Sequence, residues 1–567
     1  MVPVDYLDGH FDALKNRNSA IITKLLNYAF FSASSFDNYT MKKILISDKL
    51  AQAGIDYLNE QSGIEIHIET GLNEEGLCKI IGDYDALLIR SDTQVTPKVL
   101  HAAKNLKLIG RAGIGVDNVD IPLATELGII VMNTPDANAT TTAELAIAHL
   151  MSLSRHLPVA DRSVRAGKWE RSKLMGSEVA NKTLAILGFG TIGRIVSQRG
   201  LGLKMQVIAY DPFVAPEIFA EYGVESVSLD DLVSRADYLT LHCPLIDKTR
   251  NIIGAKQLSM MKKEAMIINC ARGGLIDETA LYDALKNGRL AGAALDVYEN
   301  EPPAGSPLLE LDNIVFTPHL GASTTEAQVA VSVEIARQAV TFLKTGEAIN
   351  ALNLPRLSAK ELKKSHEYMN LATILGKVLA GLATQPLERI EVALFGRAAE
   401  VAVRPVSVSA LVGILSGRFS TPVNRVNAEN IAKRQGIVLT ESVTHESHDY
   451  ISLIKLTGHY GNQAIALSGA LLGGRQPRLV CINQFDIEVV PEGTLLVTRH
   501  DDKPGVISAI STVLGNADIN ITRMQVSTAD EHRQAMAVIS VSTPLTDELI
   551  QQLCSIAAVH QVLQINL

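Results

Sequence analysis

The chain has 567 residues, 47% of them hydrophobic and 20% charged, with a net charge of −9. Such proportions indicate a folded globular protein of three or four domains, and the acidic balance argues against a nucleic-acid partner, which needs a basic surface. Five scattered cysteines (Cys78, Cys243, Cys270, Cys481, Cys554) show no zinc or CxxC spacing and read as reduced cytoplasmic thiols, and no apolar run reaches the ~18 residues of a membrane span, so neither a metal nor a membrane is expected.

Residues 1–40 hold one short apolar patch, Ile21 to Phe31, and acids (Asp5, Asp8, Asp12, Asp37) that outnumber the bases. This is unlike a secretory or transit leader, and a poorly ordered extension is expected. From Met41 short apolar runs alternate with helical periodicity: KKILIS, EIHIE, DALLIR, LKLIGRAG and GIIVMN. That alternation predicts a parallel sheet with helices on both faces. Thr141-Thr142-Ala143-Glu144 has the pattern of a capping box opening a helix to about Leu153. A second series of strands and helices follows, and the helical pattern from about Glu326 to Lys344 leads back to the first unit.

Within the second series, Gly188-Phe189-Gly190-Thr191-Ile192-Gly193 follows an apolar strand, Thr183–Leu187, and opens a helix. Three glycines alone are weak evidence; the strand before and the helix after give them a reason. The first allows a tight turn, the second lets a pyrophosphate approach the backbone, and the third lets helix pack on strand. The next strand, Gln206–Tyr210, ends in Asp211, a carboxylate suited to ribose hydroxyls and repellent to a 2′-phosphate, so NAD is preferred over NADP.

Further polar groups fall where later strands end: Arg272 in Asn269–Gly274, Glu301 before Pro302-Pro303, and His319 after Pro318. Open α/β sheets bind ligands beyond the carboxyl ends of their strands. An Arg to grip a carboxylate or polarise a carbonyl, a His to take a hydroxyl proton and a Glu to orient it would suffice for oxidising a hydroxy acid. Each residue alone has a duller reading, as a turn residue, a helix entry or a solvated acid.

The ordered series of the glycine fingerprint, Asp211, NCARGGLIDE, LDVYENEPP and TPHLGAST resembles the NAD-dependent D-2-hydroxyacid dehydrogenases, and among them the long-form phosphoglycerate dehydrogenases, over essentially 41–567. The resemblance implies an α/β fold: a Rossmann-type NAD domain (139–325) inserted in a flavodoxin-like substrate domain (41–138 and 326–353). An α+β intervening domain (356–485) and a βαββαβ ACT domain (493–567) would follow. By motif, Arg272, Glu301 and His319 would be catalytic. Gly188, Gly190, Thr191, Ile192, Gly193, Asp211, Cys243, Cys270 and Asp296 would surround NAD, with Asp296 on the nicotinamide amide. Arg90, Ser91, Gly113 and Arg171 would meet 3-phosphoglycerate, Arg171 from the neighbouring subunit of a homodimer or homotetramer. His500, Asp502 and Asn520 would contact L-serine as effector. The implied activity is oxidation of 3-phosphoglycerate to 3-phosphohydroxypyruvate, with 2-oxoglutarate reduction on the side. The rivals are a glyoxylate or hydroxypyruvate reductase, disfavoured by the C-terminal domains and Asp211, and a NAD-sensing corepressor-like scaffold, disfavoured by the ACT tail and Arg90-Ser91.

Overall fold

A computed structural model describes residues 41–567 apart from 136, 356–358, 420–421, 447–448 and 530–532. The extension expected over 1–40 and the expected start of the intervening domain at 356 lie outside the described residues.

Five parallel strands form the first sheet: β1 (Lys42–Ile46), β2 (Ile64–Ile68), β3 (Ala86–Ile89), β4 (Leu108–Arg111) and β5 (Ile130–Asn133). Their order is β2-β1-β3-β4-β5, the flavodoxin-like arrangement. β3 and β5 are buried at every position, which is why they read as continuous apolar runs. One face is completed from far along the chain, by the helix Thr325–Thr345. Its Val331, Ile335, Ala336 and Ala339 share a core with Ile44, Leu88 and Leu108.

The seven strands between are β6 (Thr183–Leu187), β7 (Gln206–Tyr210), β8 (Glu225–Ser226), β9 (Tyr238–Leu241), β10 (Met266–Asn269), β11 (Gly292–Leu295) and β12 (Ile314–Phe316). They pair in parallel in the order β12-β11-β10-β9-β6-β7-β8, a Rossmann-type sheet whose switch point lies between β6 and β9. The helix entering this unit runs Ala139–Ser154, and here the sequence reading needs correction. Thr141 and Thr142 lie inside its first turn, so no capping box forms. Thr142 Oγ1 donates to Gly321 O (2.8 Å) instead, and Glu144 pairs with Arg199 (3.5 Å).

Beyond the dehydrogenase units, β13 (Arg389–Gly396), β14 (Val438–Thr444), β15 (Ser452–Tyr460), β16 (Gln463–Leu472), β17 (Gln476–Ile482) and β18 (Phe485–Val489) form a mixed sheet, ordered β14-β13-β15-β16-β17-β18. Helices Ala359–Leu382 and Val403–Leu415 contribute to its core. The sheet runs on to Val489, past the expected limit at 485, because β18 pairs back on β17. The last unit, β19 (Thr494–Asp501), helix Val506–Asn516, β20 (Ile521–Ala529), β21 (Gln534–Val541), helix Asp547–Cys554 and β22 (Val559–Asn566), is an antiparallel βαββαβ layer ordered β20-β21-β19-β22. Among the described residues no helix is long and apolar enough to cross a membrane, and no group of three or more His, Cys, Asp or Glu could hold a metal.

Candidate active site

β6 delivers Gly188 at φ 97°, and the helix Thr191–Gly202 starts at Gly190. A Cβ on Gly193 would come within 2.2 Å of Gly188 O, and one on Gly188 within 2.6 Å of His242 O, whereas one on Gly190 would meet nothing within 4 Å. The outer glycines are therefore demanded by packing, and the middle one leaves open space at the positive helix terminus. Thr191 and Ile192 form its first turn. Asp211 directly follows β7, with Oδ2 accepting from Phe189 N (2.9 Å) and Oδ1 from Phe213 N (3.0 Å), so its carboxylate is tied beside the fingerprint. Burial, with Asp211 nearby, pushes the Cys243 thiol up to about 11, and burial raises Cys270 as well. Both are neutral wall residues. These residues fit a dinucleotide: a phosphate cradle with room above Gly190 and an acid bonded to the fingerprint backbone at the end of the next strand.

His319 follows β12 at φ 54°, in the left-handed region that costs a non-glycine residue about 1 kcal/mol or more. Its N–H donates to Asp296 O (2.9 Å), and Asp296 is fully buried beneath it. The Asp296 carboxylate accepts from Leu320 N (2.7 Å), Gly321 N (2.9 Å) and Thr317 Oγ1 (2.5 Å). Since the Thr317 proton goes to Asp296, its oxygen can only accept from His149 Nε2 (3.0 Å). Burial lowers the pKa of His149, which is therefore a neutral donor. This chain of hydrogen bonds pins the loop that carries His319.

His319 Nδ1 meets Glu301 Oε2 at 2.7 Å, while Glu301 Oε1 accepts from Tyr298 N (3.1 Å). Glu299, the other acid of the segment, points its N–H at Glu278 and takes no part. Burial opposes ionisation of Glu301, but the His319 contact, the Tyr298 N–H and Arg272 outweigh it and hold the carboxyl below its usual value.

Arg272, just beyond β10, crosses to the first unit, where its Nε donates to Asp117 Oδ2 (2.9 Å). Two more arginines end strands there. Arg90 follows β3, and Arg111 is the last residue of β4 with its guanidinium over Gly113, where a Cβ would lie 1.9 Å from Nη1. Burial, then Arg272 and Arg90, bring Arg111 down to about 10, partly offset by Asp117 and Asp48. The Nε atoms of both Arg90 and Arg111 are buried and have no hydrogen-bond partner among the described residues. Three cations thus converge with too few acceptors. Arg111 opens the glycine-rich segment Arg111–Asn118 and ends its strand, while Arg90 lies just past the preceding one. Ser91 lies exposed beside them, its Oγ donating to Asp92 (3.2 Å).

Other residues singled out in the sequence stand elsewhere. Arg171 lies in a short exposed turn, Arg171–Lys173, beside the 84% exposed Trp169, and among the described residues it makes no hydrogen bond or ion pair to the cleft. His500, buried in β19, has Nδ1 on Asp501 O (3.0 Å), and its Nε2 has no hydrogen-bond partner among the described residues. Asp502 and Asn520 are exposed, joined to Arg533 O and Ser542 respectively, and no hydrogen bond links the three.

The model of the D-isomer specific 2-hydroxyacid dehydrogenase NAD-binding domain matches residues 147–321. The D-3-phosphoglycerate dehydrogenase intervening domain matches 364–483, and the ACT domain 493–558. A D-3-phosphoglycerate dehydrogenase of Synechocystis is 41% identical over 535 residues, 94% of this chain and 96% of that protein. Its counterpart in Methanocaldococcus jannaschii is 40% identical, over 93% of this chain and all of that one. Among solved structures, a glyoxylate reductase from Paecilomyes thermophila superposes with a TM-score of 0.51 at 32% identity, covering 55% of this chain and 98% of that one. A D-lactate dehydrogenase from Aquifex aeolicus, complexed with NAD and lactic acid, covers 55% and 100% at TM-score 0.50 and 26% identity.

Proposed function

The chain belongs to the D-3-phosphoglycerate dehydrogenase family of NAD-dependent oxidoreductases, and we propose that its cleft oxidises D-3-phosphoglycerate to 3-phosphohydroxypyruvate on the way to L-serine. The observation that carries this reading is the 2.7 Å contact of His319 with Glu301, beside the cluster of Arg272, Arg111 and Arg90. Ionised Glu301 can only accept, so His319 Nδ1 holds a hydrogen and Nε2 keeps a lone pair for the C2 hydroxyl proton. Bound at Gly188–Gly193 and Asp211, NAD⁺ supplies the hydride acceptor. Arg272 takes the substrate carboxylate and draws the charge that develops on the C2 oxygen, and Arg90 with Arg111 holds the other anionic end of the substrate. The imidazolium that results is stabilised by Glu301.

Asp296 keeps one lone pair, on Oδ2, for a nicotinamide amide, while its other bonds hold the His319 loop. Arg171 and Trp169 form an arm that a second copy of the chain would receive, making a homo-oligomer. With all five cysteines free, the protein works in a reducing cytoplasm. L-serine, the pathway product, binds at His500, Asp502 and Asn520.

The test is NADH formation from D-3-phosphoglycerate and NAD⁺, with a trap for the keto product, with and without millimolar L-serine. Turnover that serine suppresses is expected. Turnover indifferent to serine would remove the effector assignment, and no turnover would remove the substrate.

A further inference from the structure

Arg272 and Asp117 form an ion pair between the two halves of the cleft: the arginine comes from the seven-stranded unit and the acid from the loop after β4. The contact takes a particular edge of the guanidinium. Nη1 is turned back to Ala271 O (2.6 Å), and Nε is on Asp117. The remaining nitrogen, Nη2, lies against the backbone at Gly115, where a Cβ would come within 1.8 Å of it. The Nε end of the Nε/Nη2 edge, which a carboxylate takes with two parallel bonds, is thus already held by a carboxylate of the protein itself.

That acid is weakly held. The Asp117 side chain is 70% exposed against 27% for Arg272, and among the described residues the Arg272 contact is its one side-chain hydrogen bond or ion pair. Asp48, the other acid acting on Arg111, differs. It accepts from Arg90 N (2.6 Å), Thr93 N (3.1 Å) and Thr93 Oγ1 (2.6 Å), and cannot leave. Of the two acids acting on Arg111, one is fixed and one can swing away.

We infer that Asp117 is a displaceable counter-ion: it occupies the carboxylate-binding edge of Arg272 until the carboxylate of the substrate replaces it, and so weakens substrate binding. The inference rests on the reading of the cleft as a 2-hydroxy-acid site. Exposed ion pairs are weak, so expressed as affinity the competition amounts to about two- to fivefold.

Asp117→Asn keeps the shape and removes the charge. The KM for D-3-phosphoglycerate should fall about two- to fivefold, with kcat within about threefold of the wild type. An unchanged or raised KM, or a tenfold fall in kcat, would overturn the inference and make Asp117 a positioning residue. Oxalate, a small carboxylate, gives a readout free of turnover: titration calorimetry should show tighter binding to Asp117→Asn, and equal or weaker binding refutes the inference even if the wild type fails to turn over phosphoglycerate. Asp92→Asn separates contact from field. It removes a charge beside Ser91 that touches no arginine, and an equal gain in oxalate affinity there would show that net charge alone, without displacement, accounts for the effect. If the wild type turns over no phosphoglycerate but oxalate still binds Asp117→Asn more tightly, the substrate reading fails and the counter-ion survives.

Discussion

His319 makes the sharpest demand on its surroundings, since its left-handed backbone persists only because Asp296, Thr317 and Glu301 surround it. His319→Asn should lower kcat about 10²- to 10⁴-fold, as removal of a general base does, while NAD binding followed by fluorescence stays intact. Loss within tenfold would place the base elsewhere. Glu301 adds a pH signature. Its folded carboxyl lies below the usual 4.5, so its contribution is fully present above that value and is lost only as pH falls through the lower one. The advantage in kcat/KM of wild type over Glu301→Gln should be flat through neutrality and shrink only below about pH 4.5. An advantage that decays between pH 6 and 8 would mean that another group controls the pair. Glu301 rather than Glu299 is expected beside His319 because it precedes Pro302-Pro303, as the family resemblance implies, and it is Glu301 that meets His319 Nδ1. Arg111 stands in the sequence only as the start of a glycine-rich turn, and the fold is what brings it near Arg272 and Arg90.

Among the elements, the parallel strands were the most legible: β6 and β7 follow the apolar runs residue for residue, since two buried faces leave no polar alternation to blur their ends. The capping box failed because a local pattern cannot see that Thr142 has a partner, Gly321, far along the chain. Nor could it see a device repeated in both dehydrogenase sheets. Asp85 and Asp237 each sit just before a central strand, β3 or β9, and cross to cap the neighbouring one. Asp85 accepts from Lys43 N (3.1 Å) and Lys107 Nζ (2.9 Å), and Asp237 from Thr183 N (2.7 Å) and Lys262 Nζ (2.8 Å). Burial opposes the Asp237 charge, but these bonds outweigh it and its carboxyl lies below the usual 3.8. Asp237→Asn should destabilise the unit by roughly 1–2 kcal/mol in urea at pH 7. A depressed pKa contributes above its unfolded value and not below its folded one, so the difference from wild type should narrow as pH drops below 4. A difference independent of pH would mean that shape, and not charge, is what Asp237 provides.

For the whole molecule, the two junctions between units differ in kind. The intervening unit meets the first sheet through polar contacts, Asn424 Nδ2 to Gly128 O (2.7 Å) and Arg434 to Glu126 (2.5 Å), and among the described residues only Val426 is an apolar residue of that unit buried in the first core. The junction with the last unit is apolar: Leu495, Val497, Met536, Val538 and Ile565 belong to the same core as Leu382, Leu456 and Phe485. β19 is buried on both faces, one toward its own helices and one toward the intervening sheet, a duplex role that one strand's sequence cannot announce. Calorimetry should therefore show two transitions, one for the dehydrogenase units and one for the intervening and ACT units unfolding together. NAD, which binds the first alone, should raise only that transition. Gly381 tests the second: it lies in the helix Ala359–Leu382, and a Cβ there would come within 2.8 Å of Ile565 Cγ1 in β22. Gly381→Leu overpacks this seam and should cost about 1–3 kcal/mol, lowering the second transition by several degrees and leaving the first in place. Three separate transitions, or a variant that lowers both equally, would show that the shared core does not couple the last two units as its packing requires.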